Sequence, residues 1–238
     1  MTLKFKTYDL RATLESLCLR VLEHFQLPDL RLLCFFDDVD PACFVQRFGS
    51  GYRGFHMPIR GSGYFPPYIS QLFFDSHGFA FDNVIYLRGI ACAVQTGAVI
   101  TFAHELQHFV QYGNADKVFA ANALLCCHLR NFDQANKFEA WDIPYEQDAM
   151  IVSKRVAEAV IGPEAVRQHV DLQISAATAV LYWRYFQRLS SSTPFDLLAE
   201  TIPLVDKYRP QLLQLRQTKV DFTESEWWRS TSLPVVEG

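Results

Sequence analysis

TFAHELQHFV, residues 101–110, is the stretch on which the reading of this chain turns. It holds no Gly or Pro, so one uninterrupted helix is predicted across it. On a helix His104 and His108 stand four residues apart and project from one face, where both imidazoles reach a common ion. Glu105 is offset around the helix beside His104, placed to hold and deprotonate a water on that ion. This is the HExxH arrangement, in which two neutral histidines bind zinc and the glutamate is the general base. Phe102, Leu106, Phe109 and Val110 give the same helix an apolar surface for packing. Glu105 and His108 also form an ExxH pair of the kind found in di-iron helical bundles, but that site needs a second ExxH and none exists in the chain.

Outward from this segment, apolar periodicity predicts a helix over 13–25 and a strand over 30–36. The Gly-, Pro- and aromatic-rich run 49–67 reads as an irregular loop, and 70–75 and 83–89 as further strands. One long helix is predicted over 91–111, then helices at 115–131 and 144–161, the last started by Pro144. Beyond Gly162 the pattern is helical over 163–189 and 195–217, with Pro203 and Pro210 breaking or kinking the second stretch. The expectation is an α+β fold: a zincin-like core over 1–162 and a helical extension over 163–238 packed on it. Trp227 and Trp228 in the tail are expected to lie back on the body.

Composition narrows the function classes. Half of the 238 residues are hydrophobic, enough for a substantial core without disulfides. A formal charge of −4 with 22 Lys plus Arg gives no electrostatic reason to expect nucleic-acid binding. Cys18, Cys34, Cys43, Cys92, Cys126 and Cys127 show no CxxC spacing and read as reduced core or near-core residues. The opening MTLKFKTYDLRATLESL is interrupted by charges and does not read as a secretion signal, and the weakly polar run 90–103 is too short to span a membrane. A cytoplasmic location with no membrane partner is expected; oligomeric state stays open.

A catalytic zinc takes three protein ligands and keeps the fourth position for water. Downstream candidates for the third are His128, Asp133, Glu139, Glu146 and Asp148. Glu146 is favoured. It falls in the first turn of the helix begun by Pro144, and Ala149 on the same face allows close approach. The 38 residues after His108 leave room for an intervening helix. The shorter side chain of Asp148 points elsewhere around that helix, and His128 is the runner-up.

TFAHELQHFV resembles the extended zincin metallopeptidase signature, with Thr101 at the Val/Thr position and uncharged residues at the other variable places. EQDA, 146–149, resembles the second helix of small intracellular gluzincins, which carries a ligand glutamate in an ExxA context. Larger members have an aspartate four residues after that glutamate; here the position is Met150, so Asp142 or Asp148 would have to orient a histidine instead. With His128 as third ligand the site would instead resemble the three-histidine zincins that cleave DNA-crosslinked proteins. The resemblance implies Zn2+ as cofactor, a peptide or protein as substrate, and hydrolysis of peptide bonds with metal-bound water activated by Glu105. Tyr112, Tyr145, Tyr86, His77 and His56 are candidate oxyanion donors, with Tyr145 ranked first. The strand 83–89 is expected at the cleft edge, where extended peptide would pair with it. The opposing reading is a non-catalytic zincin-like protein that keeps the metal for regulation or for binding a ligand or partner.

Overall fold

The computed structural model describes residues 2–27, 32–36, 53–58, 83–114, 139–176, 180–192 and 194–218. The helix predicted at 115–131, the strand at 70–75, most of the 49–67 loop and the tail with Trp227 and Trp228 lie outside the described residues. So do Cys43, Cys126 and Cys127.

The chain opens with β1 (Thr2–Phe5), which hands over to α1 (Tyr8–Phe25). Thr7 caps that helix, its hydroxyl accepting from the Leu10 amide at 3.2 Å. Then come β2 (Leu32–Phe36), β3 (Gly54–Pro58) and β4 (Asn83–Leu87), followed by a short α2 (Gly89–Cys92) and α3 (Gln95–Asn114). A 3-10 turn at Ala140–Asp142 leads into α4 (Pro144–Ile161). Finally α5 (Pro163–Ser175), α6 (Val180–Arg188) and α7 (Leu197–Thr218) follow.

The strands form one sheet in the order β1-β2-β4-β3, with β1, β2 and β4 parallel and β3 antiparallel to β4. LLCFF and NVIYL are continuous apolar runs because this sheet is covered; Val84 to Leu87 are all buried. The segment 83–89 therefore supplies an interior strand, β4, and among the described residues β3 holds the edge instead. Gly54 sets how closely that edge approaches α3. A Cβ there would lie 2.9 Å from the Tyr86 carbonyl oxygen and 3.0 Å from Thr101 Cγ2, so any side chain would force β3 outward.

The expected α+β zincin-like core is corrected by this arrangement. The described residues are predominantly α-helical: the four strands are four or five residues long, whereas α1, α3, α4, α5 and α7 run from 13 to 22 residues. Short apolar runs can pair only a few residues each, so the sheet stays small. The long amphipathic repeats carry most of the burial.

Two predicted helices are also divided. Ala93 and Val94 separate α2 from α3, and within the predicted 163–189 stretch α5 ends at Ser175, with Ala176 as its C-cap. α7, in contrast, continues through both Pro203 and Pro210.

The core is one cluster. Phe36 of β2 stacks on Phe5 and meets Phe102 of α3 edge-on at 5.4 Å, joining sheet to helix. The same cluster takes in Leu14 and Val21 of α1, Leu106 of α3, Val156 and Val160 of α4, Val166 and Val170 of α5, and Trp183 and Phe186 of α6. The most extensive helix contact is between α3 and α4. Cys18, Cys34 and Cys92 are buried, and burial pushes the Cys18 and Cys34 thiols up in pKa, so these two pack as small apolar groups. No helix among the described residues is long and apolar enough to cross a membrane.

Phe102→Ala, which empties the junction between sheet and α3, should cost about 3–5 kcal/mol of stability in urea unfolding. A loss under about 1 kcal/mol would mean that this junction does not hold the two layers together.

Candidate metal centre

α3 presents His104, His108 and Gln111 toward α4 within two turns, while Glu105, offset around the helix, meets β3. α4 starts at Pro144, whose fixed φ and missing N–H suit the first helical position, with Ile143 as extended cap residue. Glu146 thus falls in the first turn, and fully buried Ala149 one turn on lets α4 lie close against α3.

The three side chains predicted as ligands meet. His104 Nε2 and His108 Nε2 are 3.0 Å apart, and Glu146 Oε2 is 3.3 Å from the first and 3.6 Å from the second. Ligand atoms held at 2.0–2.2 Å by a tetrahedral ion stand about 3.3 Å from one another, and the circle through these three atoms has a radius of about 1.9 Å. The triangle is thus the size a zinc ion spans from just outside its plane. His104 is 14% exposed and Glu146 23%, so one side of the centre opens to solvent, as a fourth, non-protein ligand requires. This cluster of two histidines and one glutamate can coordinate a metal ion, with a donor set suited to zinc.

A second layer orients His108. Its Nδ1 lies 2.9 Å from Gln111 Oε1. Gln111 Nε2 donates to Asp148 Oδ2 at 2.6 Å and to the Tyr145 carbonyl at 3.0 Å, and Gln107 Nε2 donates to the same Asp148 oxygen at 2.7 Å. The Tyr145 ring lies flat on His108, centroids 4.2 Å apart and planes 11° apart. His104 differs: its Nδ1 is buried with no hydrogen-bond partner among the described residues.

Glu105 is buried beside the ligands and accepts a hydrogen bond from the His56 backbone N–H on β3. Burial raises its pKa; the two histidines oppose that shift and the Glu146 charge adds to it. Burial alone would disfavour charge on His108, but the Glu146 carboxylate overrides it and raises His108 to about 9. Glu146, held by the same partners, lies well below the usual carboxylate range although burial works against it.

The other candidates are placed as follows. The ring of His56 is edge-on to Phe109 and 3.1 Å from Asn83 Oδ1, and burial depresses its pKa to about 3. Tyr86 is buried in β4. Asp142 accepts from the Glu139 amide at the 3-10 turn, and Glu139 is exposed. Met150 is buried. His77, His128 and Asp133 lie outside the described residues, as does the side chain of Tyr112.

Sequence reasoning missed Gln111 and Gln107, although Gln111 stands three residues after His108 on the same face. It also missed Tyr182 on α6. Burial raises the pKa of that phenol, and next the charge of Glu146. No family model, no curated protein and no solved structure matches this chain, so the centre is read from its own geometry.

In the metal-free protein the His108–Glu146 pair ties stability to pH in two directions. The His108 contribution is complete below its ordinary pKa of 6.5 and is lost as pH rises through about 9. That of Glu146 is complete above 4.5 and is lost as pH falls toward its depressed value. The pair therefore supports the metal-free fold best between pH 4.5 and 6.5. Zinc must displace the His108 proton, so uptake at pH 7 should release about one proton per ion. Calorimetry in buffers of different ionisation heat reads that number; uptake with no proton release would contradict the coupling.

Proposed function

We propose that this chain binds one zinc ion through His104, His108 and Glu146, and that Glu105 makes the centre a hydrolase of peptide bonds. The ligand set and HELQH segment resemble those of gluzincin metallopeptidases, and that resemblance is the ground for the substrate class. The observation that carries the catalytic reading is the position of Glu105, buried next to the ligand His104 and facing β3, with a pKa raised by burial.

Bound at this triangle, zinc supplies Lewis acidity toward a carbonyl and toward water. The chain's own groups do the rest. Glu105 takes the proton of the attacking water and later delivers it to the departing amide nitrogen, so that the C–N bond breaks as the new C–O bond is completed. Tyr145, flat against His108, is the proposed donor to the oxyanion. β3 takes the part expected of 83–89: an edge strand beside α3, offering backbone pairing to an extended peptide. A cytoplasmic setting belongs to the same proposal, supported by the buried thiols of Cys18 and Cys34.

The second reading is a metal held for regulation or partner binding without turnover. It is favoured by one feature: the three ligands meet without help from Glu105, whose carboxylate is engaged by the β3 backbone. Chelation needs only the triangle, and hydrolysis is the step that Glu105 adds.

The two readings separate in one variant. Glu105→Gln keeps an oxygen to accept from His56 but cannot take a proton. If the chain is a hydrolase, zinc content is unchanged while cleavage of a peptide library falls by about 10²–10⁴-fold. A chelator abolishes the parent's cleavage and added zinc restores it. Parent protein loaded with zinc that cleaves no peptide would favour the second reading, and full activity in Glu105→Gln would overturn the proposed base.

A further inference from the structure

We propose that Gln111, held by Asp148, is the positioning residue that fixes His108 as a metal ligand and registers the first turn of α4 against it. This deepens the metal-binding reading and rests on it. The orientation of the Gln111 amide follows from its neighbours. The Tyr145 carbonyl oxygen can only accept, and one end of the amide lies 3.0 Å from it and 2.6 Å from Asp148 Oδ2. Only the NH₂ end can face two acceptors; the reverse would set oxygen against oxygen. Gln107, donating to the same Asp148 oxygen at 2.7 Å, helps to hold that carboxylate in place.

With its nitrogen so engaged, Gln111 turns Oε1 to His108 Nδ1 at 2.9 Å, where it can only accept. Nδ1 therefore carries a hydrogen, and the neutral imidazole has its lone pair on Nε2, the atom facing His104 and Glu146. The same amide grips α4 at Tyr145 and Asp148, one residue before and two after the ligand Glu146. One buried side chain thus sets both the orientation of a histidine on α3 and the place of the carboxylate on α4. A carboxylate bonded directly to a ligand histidine is the usual form of such support. Here the carboxyl group of Asp148 acts through an interposed amide, and among the described residues no such support reaches Nδ1 of His104.

The test is zinc affinity of the full chain by chelator competition, with zinc alone as probe, so that it reads independently of peptide cleavage. Gln111→Met keeps the length of the side chain without its hydrogen bonds and should weaken zinc binding by about 10–100-fold. Arg167→Ala, on the exposed side of α5 and outside the centre, should stay within about threefold of the parent. Asp148→Ala, which releases the Gln111 nitrogen without touching His108, should weaken zinc binding by about 10-fold, and it remains informative if Gln111→Met fails to fold. Unchanged affinity in folded Gln111→Met would overturn the inference while leaving the metal centre standing. It would fall equally if Asp148→Ala bound zinc as tightly as the parent. A parent that takes up no zinc would overturn the centre itself.

Discussion

The meeting of the Glu146 carboxylate with the imidazoles of His104 and His108 is the constraint on which the surrounding structure depends. A carboxylate largely removed from water is costly unless opposite charge or a metal faces it. Two imidazoles one helical turn apart supply that partner, and the three ligand atoms close to within 3.6 Å. The contact exists only because α3 and α4 lie close together. Ala149 faces the interface without bulk, Pro144 starts α4 where Glu146 falls in its first turn, and Gln111 bonds across the gap.

The rest of the fold serves to hold α3. On one side the sheet packs against it through Phe36 and Phe102, and β3 comes near enough, at Gly54, for its backbone to reach Glu105. On the other, α4 and then α5 and α6 continue the same core through Val160, Val170, Trp183 and Phe186. Four short strands suffice for this because the sheet only has to brace one helix. The longer helices supply most of the buried surface, which is why the molecule is predominantly helical rather than an even mixture of the two.

How much of this could be read from the chain differs by residue. His104, Glu105 and His108 were legible because a period of 3.6 residues turns their spacing into a shared face. Glu146 was legible through Pro144, since a proline at the start of a helix fixes where the first turn falls. β1 was not: TLKF is four residues with a single lysine, Lys4, between Leu3 and Phe5, too short for a pattern. β3 was hidden in a run whose glycines suggested a loop, whereas Gly54 is there so that a strand can approach α3. The break at Ala93–Val94 carries neither Gly nor Pro and left no signal. Gln111 was passed over because an amide has no ligand or acid–base signature; its role exists only once Asp148 and Tyr145 are brought to it by another helix.

The most direct test of the central claim is metal content of untagged protein purified without added metal, beside Glu146→Ala. The three-ligand centre predicts about one zinc per chain in the parent and a marked loss in the variant. Zinc retained in full by Glu146→Ala, or a parent that stays empty when zinc is offered, would contradict it.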